Sequence, residues 1–302
     1  MHPKNSVYKF IDVEDQYNLD NLQNDELLCK YFNGFNDPYE GHFGVTTVWP
    51  CPYKETAKLK SLITRLSPDS ALANTATRDH MIAFIKANTH INEFTHNFLY
   101  TETQKYRVCS FTRRWKDILM WSHYSKGGRG AALVFDQDKL INGGFAHELK
   151  SNVDLEGISL PLRFIEYKNT PPIINAVDVF ESVKVNDQVL RERVNREIFQ
   201  KCFLTKFRTW KYEQESRLII KLKGEIQDRP ILFKYPKDAL TGVIIANKCN
   251  DESYLSIAHA VEDDVKIQLA CQSKSRYKYE ITHEFFAKDI KSGKVVINKE
   301  LK

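Results

Sequence analysis

Glycine and proline are scarce in this chain, 12 and 10 of 302 residues. That excludes collagen-like repeats, proline-rich spacers and flexible glycine-rich linkers. No apolar run approaches the roughly 18 residues that a membrane span needs, so no membrane partner is expected. The opening stretch, MHPKNSVYKFIDVEDQ, offers no apolar core for a signal peptide. Six cysteines are scattered without a C-x-x-C pair, which speaks against a zinc ribbon and against a disulfide framework. A reducing cytoplasm is the expected compartment. Histidine pairs at metal-ligand spacing are also absent, and H-x-x-x-H does not occur, so no metal site is expected. There is no internal repeat and no low-complexity segment.

What is present belongs to a folded protein. Hydrophobic residues make up 42% of the chain, and 14 tyrosines and 18 phenylalanines supply bulky core material. The net charge is a mild +5. Its basic residues gather in KYRVCSFTRRWK (105–116) and KCFLTKFRTWK (201–211), clusters suited to phosphates or to a solvated face.

Local patterning predicts strands near 7–11, 106–112, 131–135, 161–168, 215–222, 230–234, 241–247, 265–270 and 277–286. ELLCKYF reads as a further short strand, and the glycines of GGRG as a turn. Apolar residues at helical spacing predict helical insertions at about 75–98 and 178–206, the second with a charged outer face. Strands and helices do not alternate regularly. The expected fold class is therefore α+β, a single domain over 1–302 with helices grouped in the middle.

Three groups of residues point to chemistry. In TWKYEQESRLII (209–220), Glu213, Glu215 and Arg217 recur at a spacing of two, and on a strand such residues share one face. Two neighbouring carboxylates raise at least one pKa unless a cation relieves them, and Arg217 is placed to do so. The plainer reading is a charged edge strand. In CSFTRRWKDILMWSHYSKGGRGAALVFD (109–136), Ser110, Thr112, Trp121, His123 and Tyr124 crowd one strand-to-helix excursion. They are either a hydrogen-bonded core or the wall of a site, with the ring of His123 fixed by a neighbouring hydroxyl or carbonyl. In FNDPYEG (35–41), Asn36 and Asp37 build a turn and Glu40 adds a carboxylate.

VYKF, FNDPYE, CSFT, MWSHYSKGGRGAALVFD, WKYEQESRL and TGVIIAN, in this order, resemble the bacterial family catalogued as domain of unknown function 2971. The likeness runs from about Val7 to Thr282. More distantly, the order of motifs is similar to that of ADP-ribosyltransferases of the Arg-Ser-Glu type. The matching positions are Lys9, then Ser110 and Thr112, then Glu213 and Glu215. Lys9 stands where that type carries an arginine, and Ser-Phe-Thr stands for its Ser-Thr-Ser.

This second resemblance implies a split, twisted β-sheet system and an enzyme that uses NAD as its substrate. Glu215 would stabilise the cationic ribose and hold its 2′-hydroxyl, while Glu213 would orient or deprotonate the acceptor. Trp121 or Tyr124 would stack on nicotinamide, Tyr8 would line the cleft, and Lys9 with Arg217 would neutralise the pyrophosphate. A macromolecular acceptor, protein or nucleic acid, is the implied partner, with a toxin or antiviral defence effector as the implied setting. Two alternatives stay open. One is a nuclease in which Glu213, Glu215 and Glu40 or Asp117 hold Mg²⁺. The other is a non-catalytic module that binds or senses a nucleotide.

Overall fold

The computed structural model describes residues 5–31, 34–35, 37–68, 77–143, 155–158, 162–185, 187–223 and 230–297. It mixes α and β structure, as the patterning implies. Two compact units emerge: Met1–Phe35 with Lys105–Ile165 and Arg208–Lys302 forms the first, and Asn36–Gln104 with Glu166–Phe207 the second. Among the described residues no helix is long and apolar enough to cross a membrane.

The first unit is built on a nine-stranded sheet. Eight strands run in the order Tyr279–Phe286, Lys266–Gln272, Leu240–Ala246, Ala131–Asp136, Ser6–Ile11, Tyr106–Thr112, Glu215–Leu222 and Leu155–Ile158, and Arg163–Phe164 also pairs with Glu215–Leu222. Neighbours are antiparallel except for Leu240–Ala246 beside Lys266–Gln272, which are parallel. Ala131–Asp136 has a neighbour on each side and core on both faces, so its five residues from Ala131 to Phe135 are all buried. That double burial is why AALVF is continuously apolar and does not alternate.

The pleat sorts the sheet into two faces. On one, Tyr8, Ala132, Val134, Ile244 and Ala270 meet Trp115, Trp121 and Tyr279. The helix Ile118–Tyr124 delivers Trp121 to that face, where the indole stacks on Tyr279 at 4.8 Å and meets Phe10 edge-on at 4.9 Å. On the other, Val7, Leu133, Phe135, Val243 and Ile245 pack with Leu22, Ile257 and Ile290 from the helices Gln16–Gln23, Asp251–Ala260 and Ala287–Lys291. Each fully buried aliphatic side chain of this kind contributes about 1.5–3 kcal/mol of transfer free energy.

The second unit is mostly helical: Thr56–Leu66, Arg78–Ala87, Ile91–Gln104, Ala176–Lys184 and Gln188–Phe203. Leu62, Ile91, Ala176, Val177 and Phe180 form its core, and Arg65 Nε donates to Glu181 Oε1 at 2.6 Å across it. Two parallel strand pairs, Gly44–Thr46 with Ile173–Asn175 and Glu166–Lys168 with Thr205–Phe207, complete the unit.

Both expected helical insertions are broken in two. Around 88–90, the Asn88 side chain donates to the Phe84 carbonyl at 2.8 Å and ends the first helix. Before 188, the Asp187 carboxylate accepts from Leu190 N at 3.0 Å and starts a new one. The strand expected over 161–168 also divides. Arg163–Phe164 joins the large sheet and Glu166–Lys168 the second unit, while residue 161 lies outside the described residues.

The glycines of GGRG serve the turn. Lys126, Gly127 and Gly128 are consecutive left-handed residues, at φ 51°, 70° and 85°, between Ile118–Tyr124 and Ala131–Asp136. Gly130 is required for another reason: a Cβ there would stand 2.2 Å from the Ile11 carbonyl oxygen, inside the sheet. Gly130→Ala is therefore expected to destabilise the fold by about 3 kcal/mol through overpacking, whereas Gly127→Ala, with open space around it, carries only about 1 kcal/mol of backbone strain. Chemical denaturation of the two variants decides this, and equal stabilities would refute it.

Candidate functional site

The site begins with sheet register. Glu215 stands opposite Thr112, and Arg217 opposite Ser110, across the Tyr106–Thr112 and Glu215–Leu222 strands. Thr112 also stands opposite Tyr8 on its other side. Directly opposed residues share a face, so Tyr8, Ser110, Thr112, Glu215 and Arg217 project to one side of the sheet.

At its centre is a buried ion pair. Arg217 Nε donates to Glu215 Oε1 at 2.6 Å and Nη2 donates to Oε2 at 3.1 Å. The residues are 0% and 4% exposed. The fork matches guanidinium to carboxylate in two parallel bonds, the strongest geometry available to such a pair. Ser110 Oγ donates to the same Oε1 at 2.6 Å, and the guanidinium lies 5.4 Å from the Phe35 ring centre. Ser110 is half-buried, so this cluster reaches towards solvent at that residue.

Glu213 arrives by a different route from the one its spacing suggests. The strand begins at Glu215, and Glu213 is the last residue of a 3₁₀ helix, Arg208–Glu213. Between them Gln214 sits in the left-handed region at φ 42°, an uncommon conformation for a side chain of its size. Pleat alternation therefore places Glu215 and Arg217 together, and a kinked turn places Glu213. Thr112 fastens that turn: its hydroxyl donates to the Glu213 carbonyl and accepts from Arg114 N at 2.9 Å.

Tyr124 ties the second acid in. Its hydroxyl donates to Glu213 Oε1. Burial first, then the Glu213 charge and more weakly that of Glu215, push the Tyr124 hydroxyl pKa far above its ordinary value. Both carboxylates thus act on one phenol. His123 Nδ1 lies 2.9 Å from the Tyr212 hydroxyl, the neighbouring hydroxyl expected for this ring, and Tyr212 leans on Trp210 at 6.1 Å. His123 is exposed, Tyr124 and Tyr212 are half-buried, and the acids are buried. The cluster grades from a charged floor to an aromatic rim.

Not every expected residue joins it. Lys9 stands opposite Leu133, on the face away from Glu215, with Nζ 5.9 Å from the Phe111 ring centre. Trp121 is 1% exposed and committed to Tyr279 and Phe10, so no face of the indole is left for a ligand. Tyr8 is on the right face but buried, and that burial pushes its hydroxyl up to about 12. Asp117 caps the helix Ile118–Tyr124, accepting from Leu119 N at 2.9 Å. Glu40 belongs to the second unit, where Lys206 Nζ lies 3.8 Å from its Oε2, both side chains being buried. In that unit a cavity of about 270 Å³ opens beside Lys206, Tyr39, His42 and Phe207. Asn36 lies outside the described residues. Among the described residues no group of three His, Cys, Asp or Glu side chains is arranged to hold a metal ion.

Sequence reasoning missed Phe35, Tyr212 and the turn role of Thr112. Tyr212 carried a signal, since it lies within W-x-Y-E, but a strand reading turned it away from Glu213. Phe35 is 182 positions from Arg217, and nothing local announces that contact.

Residues 120–218 match the model of a family described as a protein of unknown function (DUF2971), so the resemblance to that family holds over this stretch. The match begins at Met120 of M-W-x-H-Y and runs past Glu213, Glu215 and Arg217, and so takes in most of the cluster. No curated protein and no solved structure matches the chain.

Removing the Tyr124 hydroxyl takes a hydrogen bond from a buried carboxylate. Tyr124→Phe is therefore expected to destabilise the protein by about 1–3 kcal/mol, more than an ordinary surface change of roughly 0.5 kcal/mol. Thermal and urea unfolding of the variant provide the check, and a change within the surface range would mean that the bond is not made in solution.

Proposed function

We propose that the first unit cleaves the nicotinamide–ribose bond of NAD, in the manner of an ADP-ribosyltransferase. The ADP-ribose then passes either to a macromolecular acceptor or to water. The observation that carries this reading is the Ser110–Glu215–Arg217 cluster, with a second carboxylate, Glu213, held beside it by Tyr124. The resemblance calls for Ser110 and Glu215 in one cleft, and the hydrogen bond between their neighbouring strands supports that part of it.

In this reading the C–N bond breaks with its electron pair leaving on nicotinamide, which departs neutral. Positive charge develops on the ribose and is opposed by the acidic cluster, as in glycoside cleavage. Water or an acceptor hydroxyl adds to the ribose carbon and gives its proton to Glu213. Tyr124, Tyr212 and His123 provide the rim against which a planar leaving group rests. Lys9 is not suited to the pyrophosphate, being on the other face. Arg114, exposed and with its amide bonded to the Thr112 hydroxyl, takes that role.

A non-catalytic nucleotide-binding module is the second reading. It is favoured by Arg217 itself, which already offsets the charge of Glu215.

The buried pair shapes the test. Glu215→Gln alone leaves the Arg217 guanidinium without its carboxylate, a loss of about 3–5 kcal/mol in stability. The paired variant Glu215→Gln with Arg217→Met removes both charges and is expected to fold. Nicotinamide release from NAD is then measured for wild type, Glu213→Gln and the paired variant, in EDTA and in Mg²⁺. Wild type is expected to turn over in EDTA, with both variants reduced about a hundredfold or more, the size of a lost transition-state contact. A wild type that binds NAD without releasing nicotinamide would establish the binding module instead. Undiminished release by folded variants would move the chemistry away from these carboxylates.

A further inference from the structure

None of the six cysteines forms a disulfide, but two of them stand side by side. Lys30 N donates to the Val108 carbonyl at 2.9 Å and Val108 N to the Lys30 carbonyl at 2.8 Å, which makes Lys30 and Val108 a hydrogen-bonded antiparallel pair. The residue before Lys30 and the residue after Val108 then oppose each other at the next, non-hydrogen-bonded position. These are Cys29 and Cys109. At such positions Cα atoms approach to about 4.5 Å, within the span of roughly 4.4–6.8 Å that a disulfide bridges.

The side chains agree with the register. The two residues are 0% and 1% exposed, and the Cys29 thiol donates to the Leu27 carbonyl at 3.8 Å. The neighbouring Cys29 thiol and the Lys9 charge bring the Cys109 pKa below the ordinary thiol value, against the effect of burial. The neighbouring Cys109, followed by burial, pushes Cys29 above it. Lys9 beside Cys109 favours its thiolate, the form that attacks a peroxide. Lys9, which has no part in the Glu215 cluster, acquires a use here.

We propose that Cys29 and Cys109 form a redox modification site: a dithiol that a peroxide closes to a cross-strand disulfide. The Cys109 sulfur attacks one peroxide oxygen, the S–O bond forms, the O–O bond breaks, and the departing hydroxide takes a proton to become water. The Cys29 sulfur, giving up its proton to the sulfenic hydroxyl, then attacks Cys109. The S–S bond forms, the S–O bond breaks, and a second water leaves. Two thiols lose two electrons in total, and one peroxide becomes two waters. Burial means that a water-sized oxidant enters when the Glu26–Cys29 strand opens locally, so closure is slower than oxidation of the half-buried Cys51 and Cys271. Once made, the bond fastens Glu26–Cys29 to Tyr106–Thr112 beside the isolated Lys30–Val108 bridge.

The test uses the full-length protein with hydrogen peroxide, followed by alkylation of remaining thiols and peptide mapping without reductant. A Cys29–Cys109 linked peptide that dithiothreitol removes is expected, together with a rise in Tm on the order of 5 °C. Cys29→Ala and Cys109→Ala should each lose both signals. If either variant fails to fold, the wild-type map decides alone. Cys29 and Cys109 both still alkylated after Cys51 and Cys271 have oxidised, or either one linked to a different cysteine, would overturn the proposal.

Discussion

A guanidinium with no exposure to water sets the terms for this part of the molecule. Arg217 is tolerated in the sheet because Glu215, two residues earlier on the same strand, meets it with both oxygens. Phe35 offers its ring to the cation and Ser110 supports the carboxylate from the next strand. Each neighbour answers a cost that the others create: the charge needs the acid, and the acid needs the hydroxyl. The cluster is rigid for the same reason that it is buried. A carboxylate held this way keeps its orientation whatever approaches from solvent, which suits a site and also suits a structural pin.

The two faces of the sheet divide the cations between them. Arg217 belongs to the Glu215 side, whereas Lys9 lies among Phe111, Cys109 and Cys29. Strand alternation makes the choice for Lys9, because its neighbour Tyr8 already occupies the Glu215 side opposite Thr112. A motif read as an ordered set of residue types carries no information about which face each will take.

That limit explains what was legible in the sequence. The continuous run AALVF announced a strand buried on both sides, and the Glu215–Arg217 row followed from a period of two. Glu213 followed the same count but not the same geometry, since a 3₁₀ turn and a left-handed Gln214 precede the strand. Pairs such as Gly44–Thr46 with Ile173–Asn175 are three residues long, too short to display any period. The helix breaks at Asn88 and Asp187 depend on single side-chain bonds that interrupt a sustained apolar pattern. Trp121 resembled a stacking platform in sequence because both cores and sites favour tryptophan, and only the opposed Tyr279 ring distinguishes them.

The order of strands in the large sheet also bears on how the protein is made. Ser6–Ile11 lies between Ala131–Asp136 and Tyr106–Thr112, and Glu215–Leu222 closes the acidic cluster from the far side. A ribosome synthesising this chain releases the first of these strands long before its partners. The nascent segment must wait through residues 36–104 before either partner strand is made, a period in which it is open to aggregation or to chaperones. Glu213, Glu215 and Arg217 emerge later still, and the strand Leu240–Ala246 after them. The acidic cluster is therefore completed only after Glu215–Leu222 has been made, long after Ser6–Ile11 has left the ribosome.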